Sequence, residues 1–216
     1  MTTRGALIIL EGCDRSGKST QCKKLVDYLQ NNGQQAELWR FPERSTAIGQ
    51  VINSYIAKET ELHDRAVHLL FSANRWELVP LINEKLKSGV TLIVDRYAYS
   101  GVAFTAAKGL DVEWCKSCDT GLPQPDAVFY MDISVDEASN RGGFGGERYE
   151  VSDFQKKVQQ LFLTLKDDSW RVIDARLSVE KIHMSLREKV WDIIEQCKHK
   201  PLLMSLFKKT INNVCN

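Results

Sequence analysis

A short segment near the N-terminus has the composition and spacing of a phosphate-binding loop. Residues 12–20 read Gly-Cys-Asp-Arg-Ser-Gly-Lys-Ser-Thr, which matches the GxxxxGK[ST] motif. Its glycines let the backbone curl so that successive N–H groups converge on phosphate oxygens, while Lys18 reaches the β- and γ-phosphates and Ser19 ligates Mg²⁺. The motif predicts nucleotide binding, against the alternative of a chance glycine-rich turn. GTPases, ATPases and small-molecule kinases share it, so it leaves the acceptor open.

Arginines occur in short motifs that suit a second phosphate. Residues 41–44 read Phe-Pro-Glu-Arg, residues 74–76 Asn-Arg-Trp and residues 95–97 Asp-Arg-Tyr. Phosphoryl transfer needs positive groups around both the leaving and the accepting oxygens, and arginine supplies planar, charged forks. A lone arginine is more often half of a surface salt bridge, but Arg96 directly follows a predicted strand, where open α/β sheets bind ligands. No guanine-reading NKxD pattern occurs, which argues against a GTPase.

Two further positions allow more than one interpretation. Asp95 could cap the segment after its strand, or it could hold Mg²⁺ through water. Phe71 and Arg75 stand four residues apart, so on a helix they share a face that could stack on a base and bond its edge. For Phe71, core packing is the alternative.

Apolar patterns predict strands alternating with helices, and therefore an α/β fold with a parallel sheet. We expect a single domain over residues 1–200, followed by a tail, residues 201–216, that is open to flexibility. One long helix is predicted over 62–86, with a kink at Pro80. Strands are expected near residues 6–10, 36–41, 90–94, 127–131 and 170–174, and further helices near residues 19–31, 134–141 and 178–198.

Composition excludes several classes of protein. With 29 Lys+Arg against 28 Asp+Glu, no overall field attracts a polyanion, and we expect no nucleic-acid partner. The six cysteines include a lone CxxC pair at residues 115–118 but no metal-binding spacing, so reduced thiols are expected. The N-terminal apolar run is too short for a signal peptide or a membrane span. These features favour an intracellular, cytoplasmic location without membrane attachment, and leave the nucleus open.

Six segments together resemble thymidylate kinases of the eukaryotic type, over about residues 4–200. They are residues 11–20 (Glu-Gly-Cys-Asp-Arg-Ser-Gly-Lys-Ser-Thr), 40–45 (Arg-Phe-Pro-Glu-Arg-Ser), 69–76 (Leu-Leu-Phe-Ser-Ala-Asn-Arg-Trp), 94–101 (Val-Asp-Arg-Tyr-Ala-Tyr-Ser-Gly), 121–126 (Gly-Leu-Pro-Gln-Pro-Asp) and 145–150 (Gly-Gly-Glu-Arg-Tyr-Glu). The resemblance implies the P-loop nucleoside-monophosphate-kinase fold, a five-stranded parallel sheet flanked by helices, with a short lid at about residues 134–150. It also implies a homodimer that uses MgATP to phosphorylate dTMP, giving dTDP and ADP in dTTP synthesis.

The resemblance further implies which residues contact dTMP. Asp14 is expected at the deoxyribose 3′-hydroxyl, Arg44 and Arg96 at the phosphate, and Phe71 and Arg75 at the thymine. Phe104 is expected near the sugar, where it disfavours a 2′-hydroxyl. The full set for dTMP is Asp14, Phe41, Arg44, Phe71, Arg75, Arg96, Ser100, Gly101, Phe104 and Tyr149.

ATP and the reaction itself are assigned in the same way. The expected ATP set is Arg15, Ser16, Gly17, Lys18, Ser19, Thr20 and Arg141, with Ser19 and Asp95 as magnesium ligands. Arg15 places the chain with relatives whose catalytic arginine lies in the P-loop, and Arg141 and Arg148 bracket a glycine-rich lid segment. Attack of a dTMP phosphate oxygen on the γ-phosphorus is expected to rely on Arg15, Lys18, Arg96 and Asp95.

Two other functions stay open from the residues alone. A kinase for another nucleoside monophosphate or for a deoxynucleoside would use the same loop and differ at the base site. A nucleotide-sensing module would bind ATP and a partner protein but transfer nothing.

Overall fold

A parallel β-sheet forms the centre of the molecule. The computed structural model describes residues 3–141, 146–167 and 169–208. The five strands lie in the order β2-β3-β1-β4-β5, and every neighbouring pair is parallel. The predicted α/β fold is therefore confirmed. The strands are β1 (Leu7–Glu11), β2 (Ala36–Arg40), β3 (Thr91–Asp95), β4 (Ala127–Asp132) and β5 (Trp170–Asp174).

Helices connect the strands and cover both faces of the sheet. One face packs against α1 and α9, and the other against α4, α5 and α8. Within β1, Ile8 and Leu10 join the first core cluster while Leu7 and Ile9 join the second. A strand buried on both sides needs such an unbroken apolar run. The helices are α1 (Lys18–Asn31), α2 (Ala47–Ile56), α3 (Asp64–Trp76), α4 (Val79–Lys87), α5 (Ala98–Ala106), α6 (Val112–Ser117), α7 (Val135–Ser139), α8 (Ser152–Leu165) and α9 (Val179–Cys197).

The single long helix predicted over 62–86 is wrong. The chain instead forms α3 and α4, separated by a turn at Glu77 and Leu78. Pro80 lies in the first turn of α4, where the missing N–H costs no helical hydrogen bond, whereas in a continuous helix it would remove a bond to Trp76. The break lets the two helices cover different surfaces, with α3 beside α2 and α4 against β3.

The first part of the C-terminal tail packs on the domain. Leu206 is buried, and its backbone exchanges hydrogen bonds with the segment at 121–122, at 2.9 Å from Gly121 N to Leu206 O and 3.2 Å from Leu206 N to Leu122 O. Phe207 lies edge-on to Tyr99, with ring centroids 5.4 Å apart. Residues 201–208 are thus part of the packed structure, which the sequence analysis did not anticipate. The rest of the predicted tail, residues 209–216, lies outside the described residues.

Two further features concern the cysteines and the hydropathy of the helices. Five cysteines are free thiols, namely Cys13, Cys22, Cys115, Cys118 and Cys197, while Cys215 lies outside the described residues. Among the helices that the structure describes, none combines the length and apolar character needed to cross a membrane.

Candidate active site

The residues predicted to bind ligands line one cavity of about 780 Å³ at the carboxyl edge of the sheet. The loops after β1, β2 and β3 all open into it, together with the end of the predicted lid. Of that lid, residues 142–145 lie outside the described part of the chain. The predicted residues in the cavity wall are Asp14, Arg15, Ser16, Gly17, Lys18, Ser19, Thr20, Phe41, Arg44, Phe71, Arg75, Asp95, Arg96, Ser100, Gly101, Phe104, Arg141 and Tyr149.

The loop between β1 and α1 has the curled backbone that the glycine motif predicts. Gly12 and Gly17 have φ angles of 142° and 94°, and Arg15 adopts a left-handed φ of 63°. A Cβ on Gly12 would lie 2.8 Å from the carbonyl oxygen of Met131 on the adjoining strand, so only glycine fits there. The loop and the first residues of α1 line the cavity. The positive end of the α1 dipole therefore faces the cavity, where it would favour an anion.

Lys18 is folded back over this loop. Its Nζ donates to the carbonyl oxygen of Cys13 at 2.6 Å and to Ser16 Oγ at 3.2 Å. Burial and the nearby Arg96 guanidinium lower the pKa of Lys18 to about 8. An anionic ligand at the loop would raise this pKa again, because an opposite charge favours the charged form. Cys13 itself is buried, which raises the pKa of its thiol to about 11 and leaves it protonated and unreactive at neutral pH.

Arg96 lies at the centre of the cavity wall. It follows β3 with a left-handed φ of 70°, which turns its side chain toward the phosphate-binding loop. Nη1 donates to Gly12 O at 3.1 Å and to Ser100 Oγ at 3.0 Å, and Nη2 donates to the carboxylate of Asp14. Burial lowers the pKa of Arg96, but the surrounding carboxylates, Asp14 foremost, outweigh it and the net pKa is raised. Arg96 is therefore a permanent cation between β3 and the loop.

Gln155 on α8 fixes Asp14 in place. Its Oε1 accepts from Asp14 N at 3.1 Å, and its Nε2 donates to Asp14 Oδ2 at 2.7 Å and to Tyr149 O at 2.9 Å. The Gln155 side chain is almost fully buried. This amide thus links the phosphate-binding loop to the segment that follows the lid.

Glu11 is a buried carboxylate that organises the neighbouring turn. Its Oε1 accepts from the backbone N–H groups of Tyr97 and Ser100 at 2.9 and 3.1 Å, and its Oε2 accepts from Ser100 Oγ at 2.6 Å. Burial raises the pKa of Glu11, an effect that Arg96 and these hydrogen bonds oppose. Ser100 Oγ in turn accepts a hydrogen bond from Arg96, so Glu11 orients that arginine through the Ser100 hydroxyl group.

Asp95 and Ser19 provide a pair of oxygen ligands beneath the loop. Ser19 Oγ donates to Asp95 Oδ2, whereas Asp95 Oδ1 is buried without a hydrogen-bond partner among the described residues. Hydroxyl and carboxylate oxygens are ligands that Mg²⁺ accepts. The described residues contain no group of three or more His, Cys, Asp or Glu side chains that could hold a metal. A magnesium ion here would therefore take its other ligands from phosphates and water, as is usual for Mg²⁺ with nucleotides.

Two arginines and a carboxylate connect the loop to the lid region. Arg15 donates to Glu150 Oε1 from Nε and Nη2, at 3.2 and 3.1 Å. Arg141 Nη1 donates to the carbonyl oxygen of Arg15 at 3.3 Å and its Nη2 to that of Ala175 at 2.5 Å. Both guanidinium groups therefore lie at the phosphate-binding loop. Arg148, by contrast, does not line the cavity and pairs with Glu61 at 2.8 Å.

Arg44 adds another guanidinium group to the cavity wall. It follows the Phe41–Pro42 segment after β2, and its Nη1 and Nη2 donate to Asn53 Oδ1 at 3.1 Å and Glu147 Oε1 at 3.0 Å. Phe41 is buried against Tyr97, so its main contact is with the core, although it reaches the cavity wall. Arg44 and Arg96 thus line the same cavity as the loop, as two phosphates in line would require.

One part of the cavity forms a recess that aromatic side chains and a buried arginine line. Phe71 and Arg75 of α3 line it, as their spacing predicts. Arg75 is almost fully buried and pairs with Asp119, with Nη2 to Oδ2 at 2.6 Å. Phe104 and Tyr149 close the other side, with ring centroids 5.3 Å apart. A planar ring flanked by donors fits such a recess.

Sequence reasoning missed Glu11, Gln155 and Asp119 as parts of this site. Glu11 carried a signal, because a carboxylate at the end of an otherwise apolar buried strand needs partners to be tolerated there. Gln155 and Asp119 carried none, since one lies on an ordinary amphipathic helix and the other in a turn.

The comparisons with known proteins agree on one family. A family model described as thymidylate kinase matches residues 10–186. Thymidylate kinase from Arabidopsis thaliana is 55% identical over 200 residues, covering 92% of this chain and 76% of the relative, and thymidylate kinase from Homo sapiens is 53% identical over 203 residues, covering 92% and 96%. A solved structure of thymidylate kinase from Candida albicans superposes with a TM-score of 0.82 at 41% identity, covering 94% of this chain and 96% of that one.

The contacts of Glu11 make a testable prediction about stability. Glu11→Ala is expected to lower the free energy of unfolding by about 1–3 kcal/mol, because it strands buried backbone N–H donors at Tyr97 and Ser100. Urea denaturation of the two proteins measures this change. The matched control is Glu37→Ala on β2. Its partly exposed carboxylate bonds Lys85 and Trp39 Nε1, and its removal should lower the free energy of unfolding by less than about 1 kcal/mol. Equal unfolding midpoints for the wild type and Glu11→Ala would contradict the assignment.

Proposed function

The chain belongs to the thymidylate kinase family, and we propose that the cavity at the carboxyl edge of its sheet binds both substrates of the family's reaction, ATP and dTMP. The enzyme transfers the γ-phosphoryl group of ATP to dTMP, giving dTDP and ADP in dTTP synthesis. One observation carries the proposal, namely that the phosphate-binding loop and the acceptor-side arginines Arg44 and Arg96 line a single cavity. Two phosphate groups can therefore meet in it.

We assign the donor end to the loop and α1. The ATP phosphates would replace the loop's own contacts, since Lys18 Nζ is bonded to Cys13 O and Ser16 Oγ in the structure. Ser16, Gly17, Ser19 and Thr20 offer backbone and hydroxyl groups at the helix N-terminus. Arg141, held over the loop by two carbonyl oxygens, would cover the donor phosphates.

The acceptor end follows from the same geometry. Arg44 and Arg96 would hold the dTMP phosphate in charge-assisted hydrogen bonds. Asp14, supported by Gln155, would accept a hydrogen bond from the 3′-hydroxyl, and Ser100 would keep Arg96 in position. At the far end, Phe71 would stack on thymine and Arg75 would bond its edge.

Catalysis in this site would rest on positioning and charge. The acceptor phosphate is largely ionised at neutral pH, with a second pKa of about 6, so no general base is needed for its attack on the γ-phosphorus. Arg15, Lys18 and Arg96 would stabilise the charge that develops on the transferred group. No covalent intermediate is required.

Carboxylates occupy these arginines in the structure. Arg15 contacts Glu150, Arg44 contacts Glu147 and Arg96 contacts Asp14. Each pair keeps a guanidinium group oriented while no phosphate is bound. Substrate binding would then exchange one anionic partner for another, which limits the cost of desolvating the site.

We propose Mg²⁺ as the cofactor, held by Ser19 and Asp95. Among the described residues no donor reaches the buried Oδ1 of Asp95, which supports this, because a buried carboxylate oxygen without a donor is costly. When bound, the ion would neutralise phosphate charge, and Asp95 is the strand-end carboxylate positioned to help hold it.

We also propose that the kinase domain, residues 1–200, assembles as a homodimer through α3. His68, Ser72 and Arg75 lie on the buried face of that helix, whereas Leu69 and Trp76 point outward, with 51% and 38% of their surfaces exposed. Val51 on the adjoining α2 is similarly exposed, at 45%. Large apolar side chains on neighbouring helices favour burial against a partner, and a second copy offers the same self-complementary surface.

The role of Arg15 is tested by its removal. Arg15→Ala is expected to lower kcat by at least about 10²-fold, because it deletes one charge aimed at the transferred phosphoryl group. The measurement is dTMP-dependent ADP formation at saturating ATP. Arg187→Ala is the control and should keep kcat within about twofold, because Arg187 lies over the Tyr28 ring and does not line the cavity. A folded Arg15→Ala enzyme with near-normal turnover would reject the role.

The magnesium assignment is tested by titrating the ion. Asp95→Asn is expected to raise the Mg²⁺ concentration for half-maximal rate by about 10–100-fold, since a neutral amide holds the ion and its ligands less well. Asp174→Asn alters the corresponding strand-end aspartate of β5, which pairs with Arg176, and should leave the magnesium dependence unchanged. An unaltered dependence in Asp95→Asn would remove Asp95 from the site.

The dimer proposal is tested by light scattering coupled to gel filtration. The wild type is expected to show twice the mass of one chain, and Leu69→Glu the mass of one chain, because a carboxylate would be buried in an apolar interface. Leu163→Glu, equally exposed on α8, is the control and should remain dimeric. A monomeric wild type at micromolar concentration would overturn the proposal.

A further inference from the structure

Asp119 forms a deeply buried ion pair with Arg75, which lines the recess formed with Phe71, Phe104 and Tyr149, here called the base recess. It lies in the turn after α6 and has no exposed surface. Its carboxylate accepts from Arg75 Nε at 3.1 Å and from Arg75 Nη2 at 2.6 Å, and Ser72 Oγ lies 2.9 Å from Oδ1. The two oxygens therefore grip one edge of the guanidinium group in a two-pronged contact, which is the most directional form of such a pair.

The same guanidinium group is confined on a second side by α5. A Cβ on Gly101 would lie 2.8 Å from Arg75 Nη2 and 3.1 Å from Nη1. The guanidinium therefore lies against Gly101, and a side chain at that position would have to displace it. Because Asp119 uses Nε and Nη2, Nη1 is the terminal nitrogen left for a ligand in the cavity.

We propose that Asp119 is a positioning residue that sets base specificity by holding Arg75 as a fixed, donor-only group. The inference rests on the proposed contact between Arg75 and the base. Thymine and uracil present a carbonyl oxygen at position 4, which accepts a hydrogen bond from Nη1. Cytosine presents an amino group there, and its donors would oppose those of an arginine that can neither accept nor turn away.

Fixation is what makes this discrimination effective. An arginine side chain has many rotamers, and an unpaired one could swing aside to avoid an amino group. His68, on the same face of α3, does not compete with Arg75 for Asp119. Its ring bonds Thr105 Oγ1 and Cys115 O, and burial lowers the pKa of the ring, which keeps it neutral at neutral pH. Sites that demand a hydrogen bond from a ligand reject analogues that cannot make it far better than apolar pockets reject a wrong shape.

A merely structural role explains the pair less well. Two buried charges lose their hydration, and apolar residues of similar size often give equal or greater stability at such positions. The pair therefore has to be maintained for something other than packing, and its free edge opens into the base recess.

The test compares dTMP and dCMP as acceptors for Asp119→Asn with saturating ATP. The side-chain amide keeps the shape but removes the charge and turns a donor toward Arg75. We expect the ratio of kcat/KM for dTMP over dCMP to fall by at least about tenfold, with KM for dTMP rising and kcat changing by less than about threefold. An unchanged ratio in the folded variant overturns the proposal.

A matched control separates base recognition from general loss of an ion pair. Asp126→Asn breaks a second two-pronged arginine–aspartate pair, Arg4–Asp126 at 2.7 and 2.6 Å, that lies outside the cavity. Its acceptor ratio should equal that of the wild type even if its melting temperature drops. An equal loss of selectivity in both variants would mean that the effect is only structural, and would also overturn the proposal.

Two further variants keep the outcome decisive. If Asp119→Asn does not fold, Ser72→Ala removes a hydrogen-bonding partner of Asp119 and retains the charge pair, so a smaller fall in the same ratio is expected and no fall counts against the proposal. Arg75→Met tests the underlying assignment. If it leaves the ratio intact, Arg75 does not contact the base. If it lowers the ratio while Asp119→Asn does not, only the role of Asp119 fails.

Discussion

The site depends on one buried carboxylate, Glu11, at the end of the central strand. Glu11 bonds the first turn of α5 through Tyr97 and Ser100, and so ties the strand that carries the phosphate-binding loop to the one that carries Arg96. A charge buried at this depth persists only when donors surround it. The hydrogen-bond donors that surround it belong to Tyr97 and Ser100. In the proposed reaction these same groups must be held in place if the phosphates of ATP and dTMP are to meet. Stability and alignment of the site therefore have the same physical origin.

The positive charges in the cavity are balanced by nearby carboxylates. The cavity collects several guanidinium groups, which would repel one another in a low-dielectric site. Carboxylates from the loop, from the lid region and from the turn after α6 offset them. In the proposed reaction, phosphate would replace three of these carboxylates, whereas the fully buried Asp119 would stay with its arginine. The proposal thus distinguishes arginines that act on the reacting groups from the one that selects the substrate.

Much of this arrangement could be predicted from the sequence, because the signals were local. The glycine loop after an apolar strand, Arg96 directly after another strand, and the four-residue spacing of Phe71 and Arg75 each define position within one element. The misses were of two kinds. The helix expected over 62–86 divides because Pro80 begins a helix as readily as it kinks one. Glu11, Gln155 and Asp119 act through partners 89, 141 and 44 residues away, and no periodicity encodes such contacts.

The packed part of the C-terminal tail has a practical consequence. Backbone hydrogen bonds from Leu203 and Leu206 hold residues 121–124, the segment that begins two positions after Asp119. Shortening the chain at residue 200, or fusing a tag there, would strip those bonds from the turn that supports the base recess. Anyone preparing the protein for inhibitor screening should therefore place the C-terminal boundary after residue 208, so that measured selectivity reflects the native recess.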